Sequence, residues 1–133
     1  MHDPISDFFV TLKNGYTAQK ERVLIPFSQI RFEIAKVLER QGFVAEVDRK
    51  KKKLRSAQHP FLDIRLKYQD KEPAMKGLRL ISIPSRRIYL KSKDIRSVRS
   101  GAGIAIFSTP KGIITGQEAR KQNVGGQFIA EIW

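Results

Sequence analysis

Residues 104–133, IAIFSTPKGIITGQEARKQNVGGQFIAEIW, decide the fold. Ile104-Ala105-Ile106-Phe107 is an apolar run of strand length, followed by the turn formers Ser108-Thr109-Pro110-Lys111-Gly112. Ile113-Ile114 returns as a second strand. Thr115 and Glu118 stand three apart, the spacing at which a hydroxyl and a carboxylate each cap a free amide at a helix start. The helix they open is short and runs to Gln122. Gly125-Gly126 turn the chain, and residues 127–133 form a final strand. The stretch predicts a small, mostly antiparallel sheet with one short helix.

Upstream, Ile88-Tyr89-Leu90 reads as a short strand, and Asp94 is placed to cap a single helical turn through Val98. A new unit is expected to start at Pro84-Ser85. The preceding residues follow the order α-β-α-β-β-β. Asp3-Pro4 opens a helix whose apolar face is Ile5, Phe8, Phe9 and Leu12, and Asn14-Gly15 is expected to end it. Residues 23–26 form a strand. Ser28 caps a second helix with Ile30, Ile34, Val37 and Leu38 inward and Gly42 beyond its end. Phe43, Val44, Ala45 and Val47 lead a strand into the basic run Arg49-Lys50-Lys51-Lys52-Lys53. From 61 to 68, Leu62, Ile64, Leu66 and Tyr68 alternate with Asp63, Arg65 and Lys67, the mark of a half-buried strand. Residues 69–77 are a turn within the sheet, and 78–83 its last strand. The predicted class is α+β: an N-terminal domain over 1–84, with two helices on a small sheet, packed on a C-terminal β-rich domain over 85–133.

The chain has 133 residues and a mass of 15.3 kDa, with 26 Lys plus Arg against 13 Asp plus Glu, a net charge of +13. Residues 1–70 hold 14 basic and 9 acidic side chains (+5); residues 71–133 hold 12 and 4 (+8). An excess of this size points to a polyanion, because Lys and Arg gain affinity by releasing its condensed counterions. The C-terminal half is the stronger candidate surface. The absence of cysteine excludes disulfides and Cys-based metal centres. No apolar run approaches the roughly 20 residues of a membrane span, and MHDPISDFF lacks the flank of a signal peptide.

Catalysis finds little support. His2 and His59 lack partners at catalytic or metal-ligand spacing. Glu46 and Asp48 alternate on a strand beside the basic run. Gly101-Ala102-Gly103 enters a strand, the reverse of a phosphate-binding loop. Neither an enzymatic activity nor a cofactor, metal or small-molecule substrate is expected.

Four groups suit nucleic acid instead. The run Arg49–Lys53 with Arg55 is the densest charge, either a phosphate clamp or a solvated hairpin. Ser108, Thr109, Lys111 and Gly112 combine hydroxyls, charge and close backbone approach, although such residues also make ordinary turns. Arg86 and Arg87 offer a cationic fork beside Tyr89, which can stack on a base. Gly125, Gly126 and Gln127 place a polar side chain after a turn.

These residues and their order resemble the bacterial-type small-subunit ribosomal protein eight family. The resemblance rests on Asp3-Pro4-Ile5-Ser6-Asp7, Asn14, Ser28 and Gly42-Phe43, then Arg87-Ile88-Tyr89 and Gly103-Ile104-Ala105-Ile106. It continues through Ser108-Thr109, Lys111-Gly112, Thr115, Glu118-Ala119-Arg120, Gly125-Gly126 and Glu131-Ile132-Trp133. It implies a two-domain protein that binds the central domain of small-subunit ribosomal RNA and nucleates assembly of the platform. Neighbouring small-subunit proteins are implied as partners, and in some members so is the protein's own operon messenger RNA, bound as a repressor. Carried over by position, Ser108, Thr109, Lys111 and Gly112 enter an RNA minor groove, Arg86, Arg87 and Tyr89 meet the backbone, and Gly125, Gly126 and Gln127 line the other side. A cytoplasmic or organellar ribosome is the implied location.

The chain departs from the family at several points. Pro110 replaces a usual serine and removes a hydroxyl and an amide donor. Pro84-Ser85 stands for Pro-Gly, and Gln127 for glutamate. Val10-Thr11 replaces a Thr-Arg pair, leaving Lys13, Asn14 and Arg31 as the N-terminal RNA candidates. The principal alternative is a basic adaptor that docks acidic proteins.

Overall fold

Asp3 opens the first helix as expected. Its carboxylate accepts from the Ile5 amide at 3.2 Å, and Pro4 takes the first helical position. The computed structural model describes residues 3–54 and 57–133; His2 and Arg55 lie outside them. Helix α1 spans Pro4–Thr17 and does not stop at Asn14-Gly15. Gly15 serves packing instead: a Cβ there would lie 2.5 Å from Val23 Cγ1. The helix ends one turn later, where Gln19 takes a φ of 57°.

Three strands follow: β1 (Arg22–Pro26), β2 (Glu46–Leu54) and β3 (Ala57–Arg65), with α2 (Gln29–Arg40) between the first two. They form an antiparallel sheet in the order β1-β3-β2. The alternation read around residue 63 is realised. Val23, Ile64 and Val47 share one row, next to Ile25 and Leu62, and all five are buried. Phe8, Phe9 and Leu12 of α1 and Ile34, Val37 and Leu38 of α2 complete this core. Ser28 caps α2 by accepting from the Arg31 amide at 3.2 Å. Ile30 is only half-buried, and Arg31 takes an inward place: it is 9% exposed, with Nε donating to the Pro4 carbonyl at 3.1 Å and Nη1 to that of Pro26 at 3.0 Å. Tyr16 ties α1 to two further segments; its hydroxyl donates to the Phe43 carbonyl at 2.5 Å and accepts from the Lys67 amide at 3.1 Å.

On the outer face of the sheet, Asp63 is 7% exposed and is held by Arg22 at 3.0 Å and Lys50 at 2.8 Å. Arg49 points to the other face and lies 4.0 Å from the centre of the Phe27 ring. The start of the basic run is thus absorbed into the fold as strand, with successive charges to opposite faces.

Helix α2 reaches the free side of β2 at one point. Glu39 accepts from the Val47 amide at 2.8 Å and pairs with Lys36 at 2.7 Å. Burial works against the charge, but the Lys36 ammonium and the Val47 amide outweigh it and hold the carboxyl below its ordinary value. A lowered carboxyl stabilises the fold above its unfolded-state pKa of about 4.3, and the gain is lost as pH falls through the folded value. Glu39→Gln is therefore expected to flatten the acid limb of a melting-temperature profile and to leave its alkaline limb unchanged.

Residues 69–77, expected as a turn, contain a small hairpin of β4 (Tyr68–Gln69) and β5 (Glu72–Pro73), with Asp70 and Lys71 both at positive φ. The chain divides into two compact units, Met1–Met75 and Lys76–Trp133. The boundary lies before the expected one because β6 (Leu78–Leu80) does not join the first sheet. It pairs antiparallel with β10 (Gly126–Ile132), Leu80 against Ala130 and Leu78 against Ile132. Strand periodicity gives a face, not a partner, and Leu78 fits either sheet.

In the second unit β6 and β7 (Tyr89–Leu90) flank one side of β10, while β8 (Ile104–Thr109) and then β9 (Gly112–Thr115) lie on the other. The capping box is present: the Thr115 hydroxyl accepts from the Glu118 amide at 3.1 Å and Glu118 from the Thr115 amide at 3.0 Å, opening α3 (Gly116–Lys121). The helical turn expected from Asp94 to Val98 does not form. Two 3-10 turns, Ser92–Asp94 and Arg99–Gly101, bracket an extended stretch whose Ile95 and Val98 enter the core. There they meet Ala105, Phe107, Ile114 and Ala119; burying those two branched side chains prevails over a single marginal turn.

Candidate nucleic-acid interface

The site begins with the register of the C-terminal sheet. Gln127 stands opposite Tyr89 on one side and Ser108 on the other, and Ser108 stands opposite Ile113. Residues directly opposite share a face. Tyr89, Gln127, Ser108 and Ile113 therefore form one row across four strands. Tyr89 is 68% exposed; the other three are half-buried. The next row, Phe128, Phe107 and Ile114, faces the core, where the two phenylalanine rings stack 4.7 Å apart.

Glycine makes the row possible. A Cβ on Gly126 would lie 2.2 Å from the Ser108 carbonyl oxygen, and one on Gly125 would lie 2.5 Å from that of Leu90. Both obstacles are backbone. Beyond Gln127 the β10–β8 register shifts between Phe128 and Ala130, and β7 and then β6 pair with the other side of β10.

The expected turn takes a definite form. Thr109 pairs with Gly112 across Pro110-Lys111, and Gly112 has a φ of 106°. The Thr109 hydroxyl is committed to the turn, accepting from the Lys111 amide at 3.1 Å and donating to the Gly112 carbonyl at 2.9 Å. The Ser108 hydroxyl makes no hydrogen bond to another described residue. Lys111 is exposed at the tip. The two hydroxyls read as equivalent in the sequence thus differ: Ser108 is available to a partner, and Thr109 shapes the loop.

Arg86 and Arg87 are exposed just after a two-residue turn, in which the Ile83 and Arg86 amides donate to each other's carbonyls at 3.0 and 2.9 Å. Sequence reading missed Ser82, the residue that places them. Its buried hydroxyl donates to the Phe128 carbonyl at 2.6 Å and accepts from the Ile88 amide at 3.0 Å, pinning the segment before Tyr89 beside β10. The signal was present as one small polar residue inside Leu80-Ile81-Ser82-Ile83.

Tyr89, Gly125, Gly126, Gln127, Ser108, Thr109, Lys111 and Gly112 are thus brought together on one sheet, with Arg86 and Arg87 nearby in the chain. Lys13 and Asn14 are exposed on α1 in the other unit, and Arg31 there is spent on internal carbonyls. The second unit holds 11 basic and 3 acidic residues (+8), against 15 and 10 (+5) in the first. Among the described residues no cluster of three or more His, Cys, Asp or Glu could hold a metal, and no helix is long and apolar enough to cross a membrane.

Comparison with known proteins gives the family of the chain. The family model described as ribosomal protein S8 matches residues 3–133. The chain is 44% identical over 133 residues to small ribosomal subunit protein uS8 of Erythrobacter litoralis, covering 100% of this chain and 98% of that protein. It is 43% identical over 137 residues to the protein of the same name from Coprothermobacter proteolyticus, covering 100% and 99%. For the one from Thermus aquaticus the identity is 42% over 144 residues, covering 98% of each. Full-length matches of this order, on a chain with the expected α+β units and capping box, place it in the ribosomal protein S8 family, a family of ribosomal structural proteins and not of enzymes.

Proposed function

We propose that the chain is a structural component of the small ribosomal subunit that binds the central domain of its ribosomal RNA, with the face carrying Tyr89, Gln127 and Ser108 as the reading surface. The row itself carries this reading. It joins an exposed aromatic ring, an amide side chain and a free hydroxyl across adjacent strands of the more basic unit. Irregular RNA exposes bases and 2′-hydroxyls that such groups recognise, while a regular deep groove hides them. Lys111, Arg86 and Arg87 supply phosphate contacts around the row. Neighbouring ribosomal proteins complete the setting, in a cytoplasmic ribosome. An operon messenger that folds into the same shape would compete for the same face and be repressed.

Binding of the pure protein to its own small-subunit RNA in excess transfer RNA tests the reading. Retention of the complex is expected. Equal displacement by transfer RNA would favour a general basic adaptor for acidic partners.

The basic run divides in two under the same logic. Lys50 is engaged with Asp63, so Lys50→Ala is expected to lower the melting temperature and leave the salt dependence of binding unchanged. Lys51 is exposed, and Lys51→Ala is expected to reduce the slope of log K against log salt by about 0.7–0.9 if it meets a phosphate. An unaltered slope places Lys51 in solvent.

A further inference from the structure

The first unit has an open sheet edge that lies outside the proposed reading row. The Leu66 amide donates to the Glu21 carbonyl at 2.9 Å and the Phe27 amide to that of Pro60 at 3.2 Å. These bonds set the parity of the ladder: odd-numbered residues of β1 face β3, so Arg22 and Leu24 turn their N–H and C=O groups away from it. Among the described residues no hydrogen bond takes those outward groups. The edge ends at Pro26, which has no N–H and whose carbonyl is taken by Arg31. On the opposite edge of the sheet, on β2, Glu39 takes the Val47 N–H, and Lys51 places an exposed charge beside it.

Two contiguous clefts run along this free edge. One is lined by Asn14, Lys20 and Arg22, the other by Val10, Pro26 and Arg31, and Thr11 and Leu24 line both. Val10 is 49% exposed and Leu24 60%. An extended segment laid beside β1 would find backbone partners at Arg22 and Leu24. Its alternate side chains would meet Val10 on the helix side and Leu24 on the outer side. Its end near Lys20 would favour a carboxylate.

We infer that the β1 edge docks an extended, apolar-centred and acidic-ended segment of a neighbouring small-subunit protein as an added strand. RNA is the poorer occupant, since outward carbonyls repel phosphate and an apolar centre offers it no hydrogen bonds. The inference rests on the ribosomal reading above and adds to it a protein-binding surface on the other unit.

The test places the photo-reactive residue p-benzoylphenylalanine at Leu24, and separately at Val10, in the full chain expressed in its own cells. Small subunits are isolated, irradiated, and their crosslinks sequenced. Both positions are expected to mark the same peptide of one other ribosomal protein. Crosslinks chiefly to RNA, to a second copy of this chain, or to nothing at either position would overturn the inference while leaving the ribosomal reading intact. Absence of the parent chain from the small-subunit fraction would overturn both.

Discussion

Gly126→Ala is expected to cost about 1–3 kcal/mol of stability, the range for forcing extra volume into packed structure, and to raise the Kd for RNA more than tenfold. The added methyl would lie 2.2 Å from the Ser108 carbonyl oxygen and 3.0 Å from its carbon, and neither atom belongs to a side chain that can rotate away. Relief requires β8 and β10 to part where Gln127 pairs with Ser108, the centre of the proposed reading row. One substitution should thus damage both sheet and binding. Thermal unfolding and filter binding below the transition check it. A variant with the parent's melting temperature would mean that the strands are held less closely than described.

Tyr89→Ala should separate those two effects. The ring is 68% exposed, so its loss leaves the core intact and the melting temperature little changed. Affinity should fall by about 1–3 kcal/mol, the usual loss when a base is deprived of an aromatic platform, with no change in salt slope because no phosphate contact is removed. Ser108→Ala should behave in the same way at about 0.5–1.5 kcal/mol, as one hydrogen bond is lost. Thr109→Val should not. Its hydroxyl holds the Lys111 amide and the Gly112 carbonyl, so melting temperature and affinity should fall together. If Tyr89→Ala and Ser108→Ala both bind RNA as the parent does, the row is not the reading surface.

Much of this was legible in the sequence because the signals were local. The Thr115–Glu118 box, the Asp3-Pro4 and Ser28 starts and the alternation around Asp63 each depend on neighbours a few residues away, and each appears in the fold. The misplacements were questions of partnership. Leu78–Leu80 reads as a strand in either sheet, and only its register against Ala130–Ile132 assigns it. Asn14-Gly15 carries a stop signal, but Gly15 is needed for close approach to Val23. Arg31 reads as a surface cation, whereas its guanidinium joins the Pro4 and Pro26 carbonyls, far apart in sequence. In the candidate site, residue types and order singled out residues that the C-terminal sheet brings together. The division of labour between Ser108 and Thr109, and the anchoring by Ser82, arise from hydrogen bonds that span a turn and three strands.

The chain has no cysteine, so Pro110→Cys gives a single thiol at the tip of the turn without removing a proposed contact. An iron chelate tethered there, in complex with full-length small-subunit RNA, cleaves only the strands that the turn approaches. Cleavage confined to one compact part of the central domain is the predicted outcome; cuts spread evenly along the RNA, or gathered in another domain, would contradict the account.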